Sequence, residues 1–111
     1  MFVVLKTSEQ KLNEYETLFE AARGHWRVDI LRASKCSHAI VTMKGCKDIK
    51  AVYKIDKWYK STRVKGRSVF AGETDKQLEN ILVGKKLNKN LIARSAQYPV
   101  RYVSENELLA V

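Results

Sequence analysis

From Ile49 to Ile55 the odd positions carry Ile, Ala, Tyr and Ile, while the even positions from 50 to 56 carry Lys, Val, Lys and Asp. That period of two marks a half-buried strand with one packed face and one basic face. Around it the chain divides into short elements. Met1-Phe2-Val3-Val4-Leu5-Lys6 reads as a first strand. Thr7-Ser8-Glu9-Gln10 has capping-box spacing, and Leu12, Tyr15, Leu18, Phe19 and Ala22 recur at helical intervals, which predicts one helix from about Ser8 to Arg23, closed by Gly24. Trp26, Val28 and Ile30 alternate with Arg27 and Asp29 and predict a strand over 25–32, with Trp26 in the core. Ser34 to His38 turns the chain, Ala39 to Met43 is a buried strand, and Gly45-Cys46-Lys47-Asp48 returns it as a hairpin into the basic strand.

Ser61 to Gly66 is a polar, basic loop and Arg67 to Ala71 a further strand. Thr74-Asp75-Lys76-Gln77 repeats the capping spacing before Leu78, Ile81 and Leu82, predicting a short helix over about 75–83 that stops at Gly84. Pro99 to Val103 reads as a last strand with proline at its start, where a missing amide donor does least harm. Ser104-Glu105-Asn106-Glu107 caps a brief terminal helix, Leu108 to Val111. The order β-α-β-β-β-β-α-β-α predicts an α+β domain with a mixed, mostly antiparallel sheet, which at this length is expected to curl into a small open barrel and so hide its edges.

A chain of 111 residues has room for one compact domain over 1–111, and 45% hydrophobic content argues against disorder. No run approaches the roughly 18 apolar residues of a membrane span, and the N-terminus turns polar too soon for a secretory signal, so no membrane partner and a cytoplasmic setting are expected. Cys36 and Cys46 read as free thiols. With His38 they match no closed zinc site, so no metal or other cofactor is expected.

Charge changes the picture more. The formal balance is +9, which calls for an acidic partner. Between Lys44 and Arg67 nine Lys or Arg face only Asp48 and Asp56, whereas the first predicted helix carries Glu9, Glu14, Glu16 and Glu20. Bases and acids are segregated, so the charge forms a patch. Lys50, Lys54, Lys57, Lys60, Arg63 and Lys65 are the candidates for holding phosphates, and Trp58 and Tyr59, set among them, for stacking on bases. Trp58 shares the parity of Lys50, Lys54 and Lys60, so an unbroken strand turns its indole to the basic side, whereas a bend at Asp56-Lys57 turns it inward. Arg94 and Gln97, followed by Arg101, offer guanidinium and amide groups for phosphate and base-edge contacts across a cleft.

Five runs carry a resemblance: Gly24-His25-Trp26-Arg27-Val28, Lys50 to Tyr59, Gly66 to Glu73, Val83-Gly84-Lys85 and Ala96 to Val103. They resemble a group of small prokaryotic and phage domains, some found beside GIY-YIG nucleases, and the strand order resembles that of the PUA-like superfamily, which includes the ASCH, EVE and YTH domains. The resemblance implies a small β-barrel that binds RNA or modified bases between the barrel and a helix. The chain departs from it in lacking the N-terminal Gly, Lys, Glu and Arg signature of ASCH domains, and Ala51-Val52-Tyr53 lacks the paired strands of a GIY-YIG nuclease.

The leading expectation is therefore a non-enzymatic nucleic-acid-binding module for RNA or DNA. The same basic face also suits a small phage-type accessory or inhibitor protein that binds an acidic host protein. A third reading is a metal-independent ribonuclease that uses His38 with lysines, although no nucleophile, base and orienting group assemble in the sequence.

Overall fold

The computed structural model describes residues 1–44, 46, 48–88 and 100–109. Its frame is a five-stranded sheet in the order β4-β3-β2-β1-β5, built from β1 (Phe2–Thr7), β2 (His38–Met43), β3 (Ile49–Lys60), β4 (Ser68–Thr74) and β5 (Val100–Val103). β1 and β2 are parallel, and the other neighbours are antiparallel. The mixed, mostly antiparallel α+β reading holds, and β2 and β3 pair as the expected hairpin.

The sheet is open, which corrects the expected barrel. The reason lies in the alternation along the inner strands, where apolar residues occupy both faces. Val3, Leu5, Ala39, Val41, Ala51, Tyr53 and Phe70 share one cluster with Ala22, Trp26 and Ala33. Phe2, Val4, Ile40, Ile49, Val52 and Val103 share another with Leu82, Leu87 and Leu108. Each face is covered by its own layer, so the sheet buries itself without curling. The first layer is the crossover between β1 and β2, and the second is α4 (Lys76–Leu82) with the C-terminal segment.

That crossover departs from the sequence expectation at two places. In place of one long helix there are α1 (Glu9–Asn13) and α2 (Leu18–Arg23), because Thr17 adopts an extended conformation and its hydroxyl accepts from the Glu20 amide, starting a new helix. In place of a strand over 25–32, only Trp26 pairs with β4, at Ser68. The chain then enters α3 (Ile30–Ala33), where Asp29 caps the Leu31 and Arg32 amides. A local cap has overridden a weak alternation. After β5, Ser104 and Glu107 form a capping box on the single 3-10 turn Glu105–Glu107, and Leu108 is buried.

Two irregularities in β3 decide which side chains face which way. Ala51 sits opposite Val41 but Ile49 opposite Thr42, so Lys50 is an extra residue. Ile55 sits opposite Gly72 but Lys57 opposite Ala71, so Asp56 is another. Each extra residue reverses the strand's parity. After the second one Trp58 lies on the face of Ala51 and Tyr53 and is 8% exposed, edge-on to Phe70 with ring centres 5.3 Å apart.

β2 accompanies β3 only as far as His38 opposite Lys54, while β3 and β4 stay paired to Lys60 opposite Ser68. Residues 56–60 and 68–71 thus form a two-stranded ribbon that overhangs the sheet, tipped by the loop 61–67. At the base of the ribbon, a Cβ on Gly72 would fall 2.1 Å from the Lys54 carbonyl oxygen. Gly72→Ala must therefore push backbone apart at the bulge and should lower stability by about 1–3 kcal/mol. Urea unfolding checks this, and an unchanged midpoint would show that the bulge does not need the glycine.

Candidate functional site

The tip of the ribbon meets the end of α2. Gly24 permits this approach, since a Cβ there would fall 2.2 Å from Val69 Cγ1. Between them lies a pocket of about 200 Å³ lined by Tyr15, Glu20, Arg23, Gly24, His25, Tyr59, Ser61, Thr62, Arg63 and Val69. Its polar groups are fixed by their neighbours. Arg23 donates through Nε to the Phe70 carbonyl at 3.3 Å and through a terminal nitrogen to the Tyr59 hydroxyl. Its other terminal nitrogen lies 3.6 Å from Glu20. His25 Nδ1 is 2.6 Å from Ser61 Oγ, which also accepts from the Arg63 and Val64 amides and so holds the loop in a turn. On the other side of Ser61 a second cavity, of about 440 Å³, runs past Val28, Ile30, Lys60, Lys65, Gly66, Arg67 and Ser68.

Cations crowd this end of the molecule. Lys11 reaches over the Trp26 ring, 3.8 Å from its centre. Burial, with Arg67 nearby, pushes its ammonium down to about 8 against the weaker pull of Glu14. The His25 imidazole is held below its usual range by burial and then by Arg63, Lys11 and Arg23. Burial is the larger cause for both groups, and the repulsion of neighbouring cations adds to it.

The expected site residues are divided by this geometry. Tyr59 and Arg63 line the pocket, and Lys60 and Lys65 line the adjoining groove. Lys57 is close by, its ammonium 5.9 Å from the centre of the Tyr59 ring. Trp58 is a correction, because the bulge at Asp56 has turned its indole into the core, away from any base. Tyr59, 37% exposed, is the ring left outside. Lys54 is flanked by His38 on β2 and Glu73 on β4, a mixed-charge setting away from the tip. Lys50 lies ten residues from Lys60 along β3, a separation of about 33 Å in extended chain. The lysine series is therefore not one continuous patch.

Arg101 pairs with Val4, in the row that continues through Ile40 to Val52. It stands three strands from β3, roughly 14 Å across the sheet, and well short of the tip, so it does not face Tyr59 over a cleft. Arg94 and Gln97 lie outside the described residues. The sequence reading missed Arg23, His25, Ser61 and Thr62. The adjacency of Arg23-Gly24-His25 to a helix stop was the only signal available, and it said nothing of which strand the turn would meet.

His38, central to the ribonuclease reading, has both ring nitrogens engaged. Nδ1 is 2.8 Å from Ser37 Oγ and Nε2 is 2.8 Å from Asp75 Oδ2. Asp75 also caps α4 by accepting from Leu78, and this bond, with that of His38, holds its carboxyl below the usual range. The contact ties β2 to α4. Cys36 is a buried free thiol and Cys46 an exposed one. Among the described residues no group of three or more His, Cys, Asp or Glu is arranged to hold a metal, and no helix is long and apolar enough to cross a membrane.

Comparison with family models, with curated proteins and with solved structures finds no match. The site must be read from its own chemistry.

Lys11 supplies a first check on that reading. Its folded value of about 8 lies below the ordinary 10.5, so between those pH values the unfolded chain binds the proton that the folded chain has lost, and stability rises with pH across that window. Lys11→Met should raise the melting temperature at neutral pH and flatten this rise. If the variant keeps the same slope between pH 8 and 10.5, the ammonium is not strained by its surroundings.

Proposed function

We propose that this protein binds nucleic acid, RNA or DNA, through the phosphate backbone, at the tip of the β3–β4 ribbon. The observation that carries the proposal is the convergence of Arg23, Lys60, Arg63, Lys65 and Arg67 around two adjoining cavities. Burial first, and these neighbouring cations second, depress both Lys11 and His25. Nearby acids are few, with Glu14 and Glu20 the ones in touch with these cations. Folding alone gains nothing from such crowding, whereas phosphate relieves it and releases counterions. Tyr59 and Lys57 beside it offer a ring and a charge to the first base. A PUA-like relationship would agree with this reading, and the proposal does not depend on it.

On this account log affinity for a single strand falls linearly with log salt, with a slope of about −0.7 per phosphate contact. Replacing Lys60, Lys65 and Arg67 together with Gln should reduce the magnitude of that slope by about 2, whereas Lys50→Gln should leave it unchanged. Fluorescence anisotropy across a salt series measures both. A slope near zero would contradict the proposal. So would recovery of one stoichiometric protein from nuclease-treated lysate by a chain with no affinity for oligonucleotides, which would place an acidic protein on the same cations.

A further inference from the structure

The two cavities at the ribbon tip differ in what they can enclose. The one beside Arg63 measures about 200 Å³, below the roughly 300 Å³ at which pockets begin to hold whole small molecules. It takes a functional group, and a base with its sugar is too large. The wider cavity beside Lys65 is a course along which a chain can run, and Ser61 lines both.

The smaller pocket is built for a compact, highly charged oxyanion. Arg23 is held on three sides, by the Phe70 carbonyl, the Tyr59 hydroxyl and the longer 3.6 Å contact with Glu20, so its guanidinium is oriented before any ligand arrives. Arg63 makes no ion pair among the described residues, and Thr62 adds a hydroxyl. His25 is oriented through Nδ1 by Ser61, which leaves Nε2 uncommitted among the described contacts.

The charge arithmetic follows from these residues. Two guanidinium groups against the Glu20 carboxylate leave one net positive charge, and a protonated His25 makes two. An internal phosphodiester brings one negative charge, whereas a phosphomonoester brings about 1.5 to 2 at neutral pH, with three acceptor oxygens. Burial and then Arg63, Lys11 and Arg23 disfavour the protonated form of His25, and Arg63 and Arg23 are the groups such a dianion would neutralise.

We propose that this pocket receives the terminal phosphoryl group of a nucleic-acid strand, while the internal phosphates that follow it run along the groove of Lys60, Lys65 and Arg67. The inference rests on the backbone-binding reading above and specifies which part of the strand the protein grips. It makes the protein a reader of strand ends.

The test compares three internally labelled single strands of one sequence, carrying a 5′-phosphate, a 3′-phosphate or hydroxyls at both ends, by fluorescence anisotropy at fixed salt. One phosphorylated end should bind about tenfold tighter than the hydroxyl-ended strand, the increment of one charge-assisted hydrogen bond. Arg63→Gln, on an exposed loop, should bring that ratio close to one, and so should His25→Gln. Lys65→Gln should weaken all three strands alike and keep the ratio. Equal affinity for the three strands with salt dependence intact overturns the end-binding assignment and leaves the backbone-binding reading standing. Absence of salt-dependent binding to any strand overturns both. A preference that survives both Arg63→Gln and His25→Gln places the terminal phosphate elsewhere and also overturns the assignment.

Discussion

The extra residue at Asp56 is the constraint on which the candidate site at the ribbon tip depends. By shifting the register between Ile55 and Lys57 it reverses the parity of β3, sending Trp58 into the core against Phe70 and leaving Tyr59 outside. The buried indole then belongs to the cluster that fastens the ribbon to α2 and Trp26. Without that anchor the overhang would be a two-stranded hairpin with little to hold it, since isolated hairpins are marginal in water. The same residue therefore fixes the ribbon and decides which ring solvent meets. Bulges commonly re-aim side chains beside functional sites, and here the re-aimed segment ends in the most basic loop of the described chain.

Once the ribbon is anchored, the remaining geometry follows from close contacts. Gly24 lets the end of α2 lie against Val69, Arg23 reaches the ribbon's Phe70 carbonyl and Tyr59 hydroxyl, and His25 meets Ser61. Cations from the first layer and from the loop, far apart in sequence, are thereby packed within range of one another. Their repulsion is a cost to folding, and at Lys11 it adds, through Arg67, to the larger effect of burial in depressing the ammonium. A bound anion would turn that cost into binding free energy, which is why the crowding points to a ligand more strongly than the overall charge does.

Much of the sheet was legible in the sequence because period-two alternation is a local signal. β1, β2, β3, β5 and α4 lie close to where the pattern put them. The failures have physical causes that no window of residues displays. Thr17 and Asp29 cap new helices and outcompete the continuous helix and the strand expected there. The barrel failed because apolar residues on both faces of the sheet found two covering layers. The site was half legible. Part of the basic loop and Tyr59, which the sequence grouped, line one pocket, while the parity of Trp58 hung on a single unpaired residue, and Arg101 and Lys50 were separated from the tip by register, which only strand pairing reveals. Arg23 and His25 entered through a tertiary contact 36 residues away in sequence.

The proposed grip on an anionic ligand lies at the ribbon tip and not along the length of the lysine-bearing strand. Mapping amide chemical shifts while a phosphorylated single strand is titrated in addresses it most directly. The prediction is that the largest shifts fall on residues 23–25 and 59–67. Shifts centred on Lys50, Lys54 and Arg101, with the tip undisturbed, would contradict it.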